Sequence, residues 1–286
     1  MLFRSEFGNA GGIGAYEVAG FTQAETDEEY LKLVQPYLNK GSLIGMFLNA
    51  TRYMEKTVGI AKDGGLNFLR VGSDAGNANK AVEPIKAIKA AGMKAYYSSM
   101  KAYLLQPDAL VVEAKKLADA GLDMFTIMDS AGTMIPDEVS AYVEALKKNL
   151  SIPVAFHGHN NLSLAAANAL AAYKAGADIL DCGLMGMARS AGNCATEVCV
   201  AFMQRMGELK DVDFYGLLSC AEKVGKVMKE RYDYYNPISP LDLIYGACGA
   251  HSSFGRMFKK VSEETGVDLY KLIVKEIGRA SCRERV

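Results

Sequence analysis

"DAGLDMFTIMDSAGTMIP", residues 119–136, holds one complete structural unit. Gly121 stands just past a helical segment, where a left-handed cap is wanted. The run Met124 to Ser130 is apolar and rich in strand formers. Gly132 then permits a tight turn, and Pro136 suits the first turn of the next helix. The same helix-end glycine followed by a strand recurs in "AAGMKAYY" (90–97) and "KAGADILD" (174–181). Repetition of helix, glycine, strand and turn predicts equivalent βα units on a parallel sheet.

Seven strands are expected on this pattern: "AYEVAG" (15–20), "LIGMFLN" (43–49), "FLRVGS" (68–73), "AYYSSM" (95–100), "MFTIMDS" (124–130), "VAFHGH" (154–159) and "ILDCGLMG" (179–186). They recur about every 25 to 31 residues, one βα unit each. The expected fold is α/β, a TIM (β/α)8-type barrel. An open doubly wound sheet competes with it, but no G-x-G-x-x-G follows the first strand. Seven strands are one short of eight, and "FGNAGGIG" reads as the end of a helix whose own strand is missing. Residues 6–209 are therefore assigned to barrel strands 2 to 8, and residues 210–276 to a C-terminal helical extension. The ends "MLFRS" (1–5) and residues 277–286 within "EIGRASCRERV" read as translated sequencing-adapter remnants, set aside from the fold.

Composition narrows the function. Of 286 residues half are hydrophobic, enough for a sizeable core, and the formal net charge is −1. Without a basic stripe, nucleic acid and anionic membrane are poor partners, and small molecules are favoured. No apolar run approaches the roughly 20 residues of a membrane helix. The six cysteines (182, 194, 199, 220, 248, 282) show no C-x-x-C spacing, so reduced thiols in a cytoplasm are expected.

The chain has three histidines, and two of them, His157 and His159, share "FHGHNN". On a strand they point to one face with Cα atoms about 6.5 Å apart, at the strand end where barrels place active sites. One ion would satisfy both rings, against the alternative of two structural histidines. Asn160 and Asn161 follow as cap and supporting residues. Asp129 and Ser130 end another strand, next to a helix N-terminus that favours an anionic group; an ordinary capping turn is the competing reading for Asp129. In "MARSAGNCATE", Asn193 is available to a metal and Arg189 to a carboxylate. Arg70, inside a strand, must be paired or functional, and Glu17 is read as a supporting residue or an arginine's partner. His251 in "GAHSSF" is catalytic or simply a surface or core histidine. Lys101, after a strand, is the one candidate for a Schiff base, although a lysine opening a loop is usually just solvated.

"HGHNNLSLAAANALAAYKAGADILDCGLMGMARSAGNCATEV" together with "MDSAGTM" resembles the DRE-TIM metallolyase superfamily (HMGL-like), and within it the 4-hydroxy-2-oxovalerate aldolases, from about Gly12 to Gly278. The resemblance implies a divalent-metal-dependent aldolase that cleaves a 4-hydroxy-2-keto acid to pyruvate and a short aldehyde. It makes His157 and His159 ligands of Mn²⁺ or Mg²⁺, places Asn193 where some members have a further ligand, and gives Ser130 a part in holding the keto acid. It also implies an aspartate ligand and an arginine in a first strand, with a histidine base soon after, none of which stands in this sequence. His251 occupies a position where these aldolases carry tyrosine. The partners implied are a 2-keto acid, an aldehyde, an acylating aldehyde dehydrogenase and further copies of the chain. Two alternatives stay open: an acyl-CoA lyase or synthase of the same superfamily, and an inactive fragment that binds metal weakly.

Overall fold

The computed structural model describes residues 3–7, 11–17, 26–38, 40–232, 234 and 240–283. Strand and helix alternate along it: β1 Phe3–Glu6, α1 Asp27–Val34, β2 Ser42–Asn49, α2 Glu55–Asp63, β3 Phe68–Asp74, α3 Val82–Ala90, β4 Lys94–Met100, α4 Pro107–Asp119, β5 Met124–Asp129, α5 Pro136–Asn149, β6 Val154–Gly158, α6 Ala165–Lys174, β7 Ile179–Asp181 and α7 Thr196–Arg205. Four further helices follow, α8 Phe214–Tyr232, α9 Pro240–Cys248, α10 Gly255–Thr265 and α11 Leu269–Arg283. The strands form one seven-stranded sheet in sequential order. The pairs β1·β2, β2·β3 and β3·β4 are parallel, with Gly45 opposite Phe68 and Phe68 opposite Lys94. Sequential parallel strands joined by helices are the TIM-barrel arrangement.

The chain divides into two compact units, residues 1–127 with 144–155 and residues 128–143 with 156–286. In the first unit Leu69, Val71, Tyr97 and Phe125 are fully buried strand residues, and Ile85, Ile88, Leu110 and Leu117 are the buried helical ones. β3 is buried along six of its seven residues and β5 along all six, as expected of parallel strands covered on both faces. Each fully buried side chain of this size contributes on the order of 1.5–3 kcal/mol. The helix-end glycines do what the sequence requires of them, Gly92, Gly121 and Gly176 having φ of 76°, 98° and 96°. In the second unit, Tyr245, Ala250, Phe258 and Ile273 form a separate buried cluster among the C-terminal helices.

Two strands differ from the sequence reading. "AYEVAG" is not a strand where it is described: Ala15–Glu17 form a 3-10 turn, and residues 18–20 lie outside the described residues. Gly12 and Gly14, at φ 87° and 79°, turn the backbone away from extension, while the Ile13 N–H donates to Phe47 O at 2.8 Å. The first strand is instead Phe3–Glu6, which includes residues set aside on sequence grounds and registers against β2. "ILDCGLMG" is a strand only over Ile179–Asp181; Leu184–Gly186 form a 3-10 turn around Met185, whose φ is 55°. At the other end, α11 continues beyond residue 276 to Arg283.

Gly132 sets the turn after β5. Its φ is 59°, and a Cβ there would stand 2.6 Å from Asn161 N and 2.8 Å from His159 O, both backbone atoms that cannot swing aside. Gly132→Ala should therefore lower unfolding stability by roughly 2 kcal/mol or more, read by urea denaturation. A loss within experimental error would mean that the turn is not as tight as described.

Candidate functional site

Three strand ends of the second unit carry most of the expected site residues. Asp129 ends β5 and is fully buried. Its carboxylate accepts the Thr133 and Met134 N–H groups, each at 3.0 Å, and its carbonyl accepts the His159 N–H at 3.1 Å. The capping turn considered for Asp129 is thus present. Burial pushes the Asp129 carboxyl up to about 6, with the turn's backbone N–H groups holding it down.

β6 ends at Gly158, so His157 lies on the strand and His159 just beyond it. His159 is held by a bridge of its own, antiparallel to Asn193, and Asn160 N donates to Gly192 O at 2.9 Å. The two imidazoles come together as expected, ring centroids 5.4 Å apart and edge to face. His159 is buried, and its ring is held well below the ordinary histidine range, first by desolvation and then by the charges of His157, Arg189 and His251. It is therefore neutral at physiological pH, the form that ligates metals.

The supporting residues fall as follows. Asn160 Oδ1 accepts from Ala165 N at 3.2 Å, capping α6, and Asn161 Oδ1 accepts from Ala191 N at 3.3 Å, anchoring the loop that carries Arg189. One Arg189 nitrogen lies 3.1 Å from His159 Nε2 and 3.3 Å from Ser130 O. His251 caps a short turn: its Nδ1 accepts from Ser253 N at 3.2 Å, so the neutral ring carries its proton on Nε2. Asp181, at the end of β7, was not singled out by sequence, yet its carboxylate is 3.4 Å from His157 Nδ1. That approach is close enough for attraction although not aligned as a hydrogen bond. A carboxylate at a strand end beside a histidine strand was the available signal.

Three expected residues belong to the first unit and have partners there. Arg70 pairs with Glu6 at 2.6 Å, and Glu17 pairs with Lys56 at 2.6 Å. Lys101 pairs with Asp74 at 2.9 Å.

A divalent ion fits the donor set of the second unit. His157 Nδ1, His159 Nδ1 and Asn193 Oδ1 are buried without hydrogen-bond partners, a rare and costly condition for polar atoms. The Asp181 carboxylate, 3.4 Å from the same His157 Nδ1, adds an anionic oxygen beside this donor set. His159 offers a neutral ring whose Nε2 faces Arg189.

Comparison with known proteins gives the family. The HMGL-like family model matches residues 70–224. An oxaloacetate decarboxylase of Mycobacterium tuberculosis is 33% identical over 268 residues, covering 94% of this chain and 78% of its own length. The 4-hydroxy-2-oxovalerate aldolase of Moorella thermoacetica is 34% identical over 253 residues, covering 88% and 73%. That of Carboxydothermus hydrogenoformans is 35% identical over 260 residues, covering 91% and 76%. Among solved structures, the N-terminal domain of a candidate aldolase from Bacteroides vulgatus superposes with a TM-score of 0.66 at 23% identity, over 85% of this chain and 78% of that one. The carboxyl transferase domain of Rhizobium etli pyruvate carboxylase gives 0.76 at 17% identity, over 98% of this chain and 48% of that one; both likenesses are of fold. No helix among the described residues is long and apolar enough to cross a membrane.

The Asp129 carboxyl binds its proton more tightly in the folded chain than in the unfolded one, where its value is 3.8. Its stabilising contribution is complete below that value and is lost as pH rises through about 6. Asp129→Asn removes the titration and adds only a constant offset. Between about pH 3 and pH 8, unfolding free energies should shift in favour of the asparagine variant by on the order of 3 kcal/mol. A difference between the two proteins that does not change with pH would show that Asp129 is not desolvated.

Proposed function

Because the chain belongs to the HMGL-like family, we propose that it is a divalent-metal-dependent carbon–carbon lyase that cleaves a 4-hydroxy-2-keto acid to pyruvate and a short aldehyde. The observation that carries this reading is the convergence of His157, neutral His159 and Asn193 beside the Arg189 guanidinium. His157, His159 and Asn193 would hold Mn²⁺ or Mg²⁺, with the Asp181 carboxylate beside His157. When bound, the ion supplies Lewis acidity toward the keto and carboxylate oxygens of the substrate.

The protein's own groups do the rest. Arg189 turns from His159 to the substrate carboxylate, for which its forked donors are suited. Ser130, on the turn fixed by Asp129, borders the same place and helps to seat the keto acid. As the C3–C4 bond breaks, its electron pair passes to the C2 carbonyl, the 4-hydroxyl proton passes to water and the aldehyde forms. The resulting enolate takes a proton from water at C3 to give pyruvate, balancing the one released. Its negative charge is met by Arg189, an electrostatic contribution made where charge develops. His251, with Nε2 protonated, serves as a hydrogen-bond donor to the departing oxygen rather than as a base. Arg70 enters no step, being paired to Glu6. An acylating aldehyde dehydrogenase that consumes the reactive aldehyde suits this reaction.

A second reading, oxaloacetate decarboxylation, is favoured by the 33% identity to the mycobacterial decarboxylase. It breaks the equivalent bond, releases CO₂ instead of an aldehyde and passes through the same enolate.

Two measurements follow. His157→Ala and His159→Ala should each lower bound Mn²⁺ at least tenfold in elemental analysis while preserving the far-UV circular dichroism spectrum; unchanged metal content in either variant removes that residue from the ligand set. Pyruvate release from 4-hydroxy-2-oxovalerate should require Mn²⁺ or Mg²⁺, stop with chelator, be inhibited by oxalate and survive borohydride. Faster release from oxaloacetate selects the second reading, turnover of a coenzyme A thioester selects the acyl-CoA branch, and borohydride inactivation in the presence of pyruvate selects a Schiff base.

A further inference from the structure

We propose that Cys182, Cys194 and Cys199 form a three-thiolate site for one soft divalent metal ion of the zinc class, separate from the histidine site. Their sulfur atoms all lie within 4.8 Å of one another. Each is a free thiol. The backbone brings them there by a bridge and a helical turn. Gly183 pairs with Ala195 in a parallel bridge, with Gly183 N donating to Cys194 O at 3.0 Å and Thr196 N to Gly183 O at 2.9 Å. That register sets Cys182 beside Cys194 with their side chains on one face. Ala195 then caps α7, and its carbonyl accepts the Cys199 N–H at 2.9 Å, so Cys199 stands one helical turn above the same spot.

The surroundings are those of an interior site with one open side. Cys194 and Cys199 belong to a buried cluster with Ala165, Ala169 and Met203, and Cys182 packs against it partly exposed. Small alanines of α6 leave room around the sulfurs. With metal–sulfur bonds of about 2.3 Å, three thiolates around one ion stand about 3.8 to 4.0 Å apart. The observed cluster is near that spacing and needs only side-chain adjustment. Thiolate ligands select soft ions over Mn²⁺ or Mg²⁺. Three thiolates around a divalent ion leave a net charge of −1, against −2 around a monovalent one, and the smaller buried charge is favoured. Binding releases the thiol protons, and the half-exposed Cys182 side leaves the fourth position to solvent. Such an ion would clamp the end of β7, the 193–195 segment and the start of α7 to one another.

Cadmium is the probe, because thiolate-to-cadmium charge transfer absorbs in the ultraviolet and histidine, amide and carboxylate ligands give no such band. The full chain, reduced with a phosphine, is titrated with Cd²⁺. One equivalent should saturate the band, and X-ray absorption at the cadmium edge should count three sulfur neighbours. Cys182→Ala, Cys194→Ala and Cys199→Ala should each weaken binding at least tenfold, whereas Cys220→Ala and Cys248→Ala should leave it unchanged. No band at one equivalent with the wild-type chain, or a cadmium shell of nitrogen and oxygen alone, overturns the proposal whether or not the variants fold. Full-strength binding in all three cluster variants overturns it as well.

Discussion

The candidate site is organised by one buried carboxylate accepting backbone hydrogen bonds. Asp129 has no solvent to turn to, so its oxygens take the N–H groups of Thr133 and Met134, and its carbonyl takes that of His159. These bonds bend the chain after β5 and tie that bend to the end of β6. The bend in turn brings Ser130 O to Arg189, and the tie aligns His159 with Asn193. Burying an ionisable group that is not itself a ligand is expensive, and its elevated proton affinity records that cost. Gly132 is the companion requirement, since the bend leaves no room for a side chain.

Much of this was legible in the sequence because it depends on local periodicity. The repeated glycine before β4, β5 and β7, the apolar runs of β3 to β6 and the two-residue spacing of His157 and His159 are short-range signals, and the structure keeps them. Asn193 and Arg189 were legible as loop residues that a β7 to α7 connection must bring to the strand ends. What could not be read has physical causes. The N-terminal strand depends on which segment wins the edge of β2, and two left-handed glycines decide against residues 15–17. Asp181 needed the lateral neighbour of β6, and the thiol cluster needed a bridge and a helical turn at once. Separations of 12 and 5 residues between Cys182, Cys194 and Cys199 match no familiar ligand spacing.

The relatives at 33% to 35% identity carry two different activities, yet the chemistry beneath them is common. Retro-aldol cleavage and decarboxylation of a 2-keto acid both leave the same enolate, differing in what departs. The groups that meet that shared charge sit on strand ends and their turns, whereas discrimination between leaving groups falls to whatever faces C4. In the proposed reaction that task would fall to His251, whose Nδ1 accepts from Ser253 N in the turn it caps. On that assignment the C-terminal helices, with their own buried cluster, would take part in the site's chemistry as well as its support.

The short extended stretch from Asn193 to Ala195 has a further consequence, one of parity. Asn193 is bridged to His159, and the Gly183–Ala195 bridge sets Cys194 beside Cys182, so the consecutive residues Asn193 and Cys194 serve opposite faces. An odd insertion or deletion within this stretch would exchange the two faces, presenting a thiol to the imidazoles and an amide to the sulfur cluster. The loop from Met187 to Gly192 has no such alternation to preserve. Length variation across homologous genes should therefore stop abruptly at Asn193, and a redesigned loop must keep Arg189 in place as well as leave the count from Asn193 onward untouched.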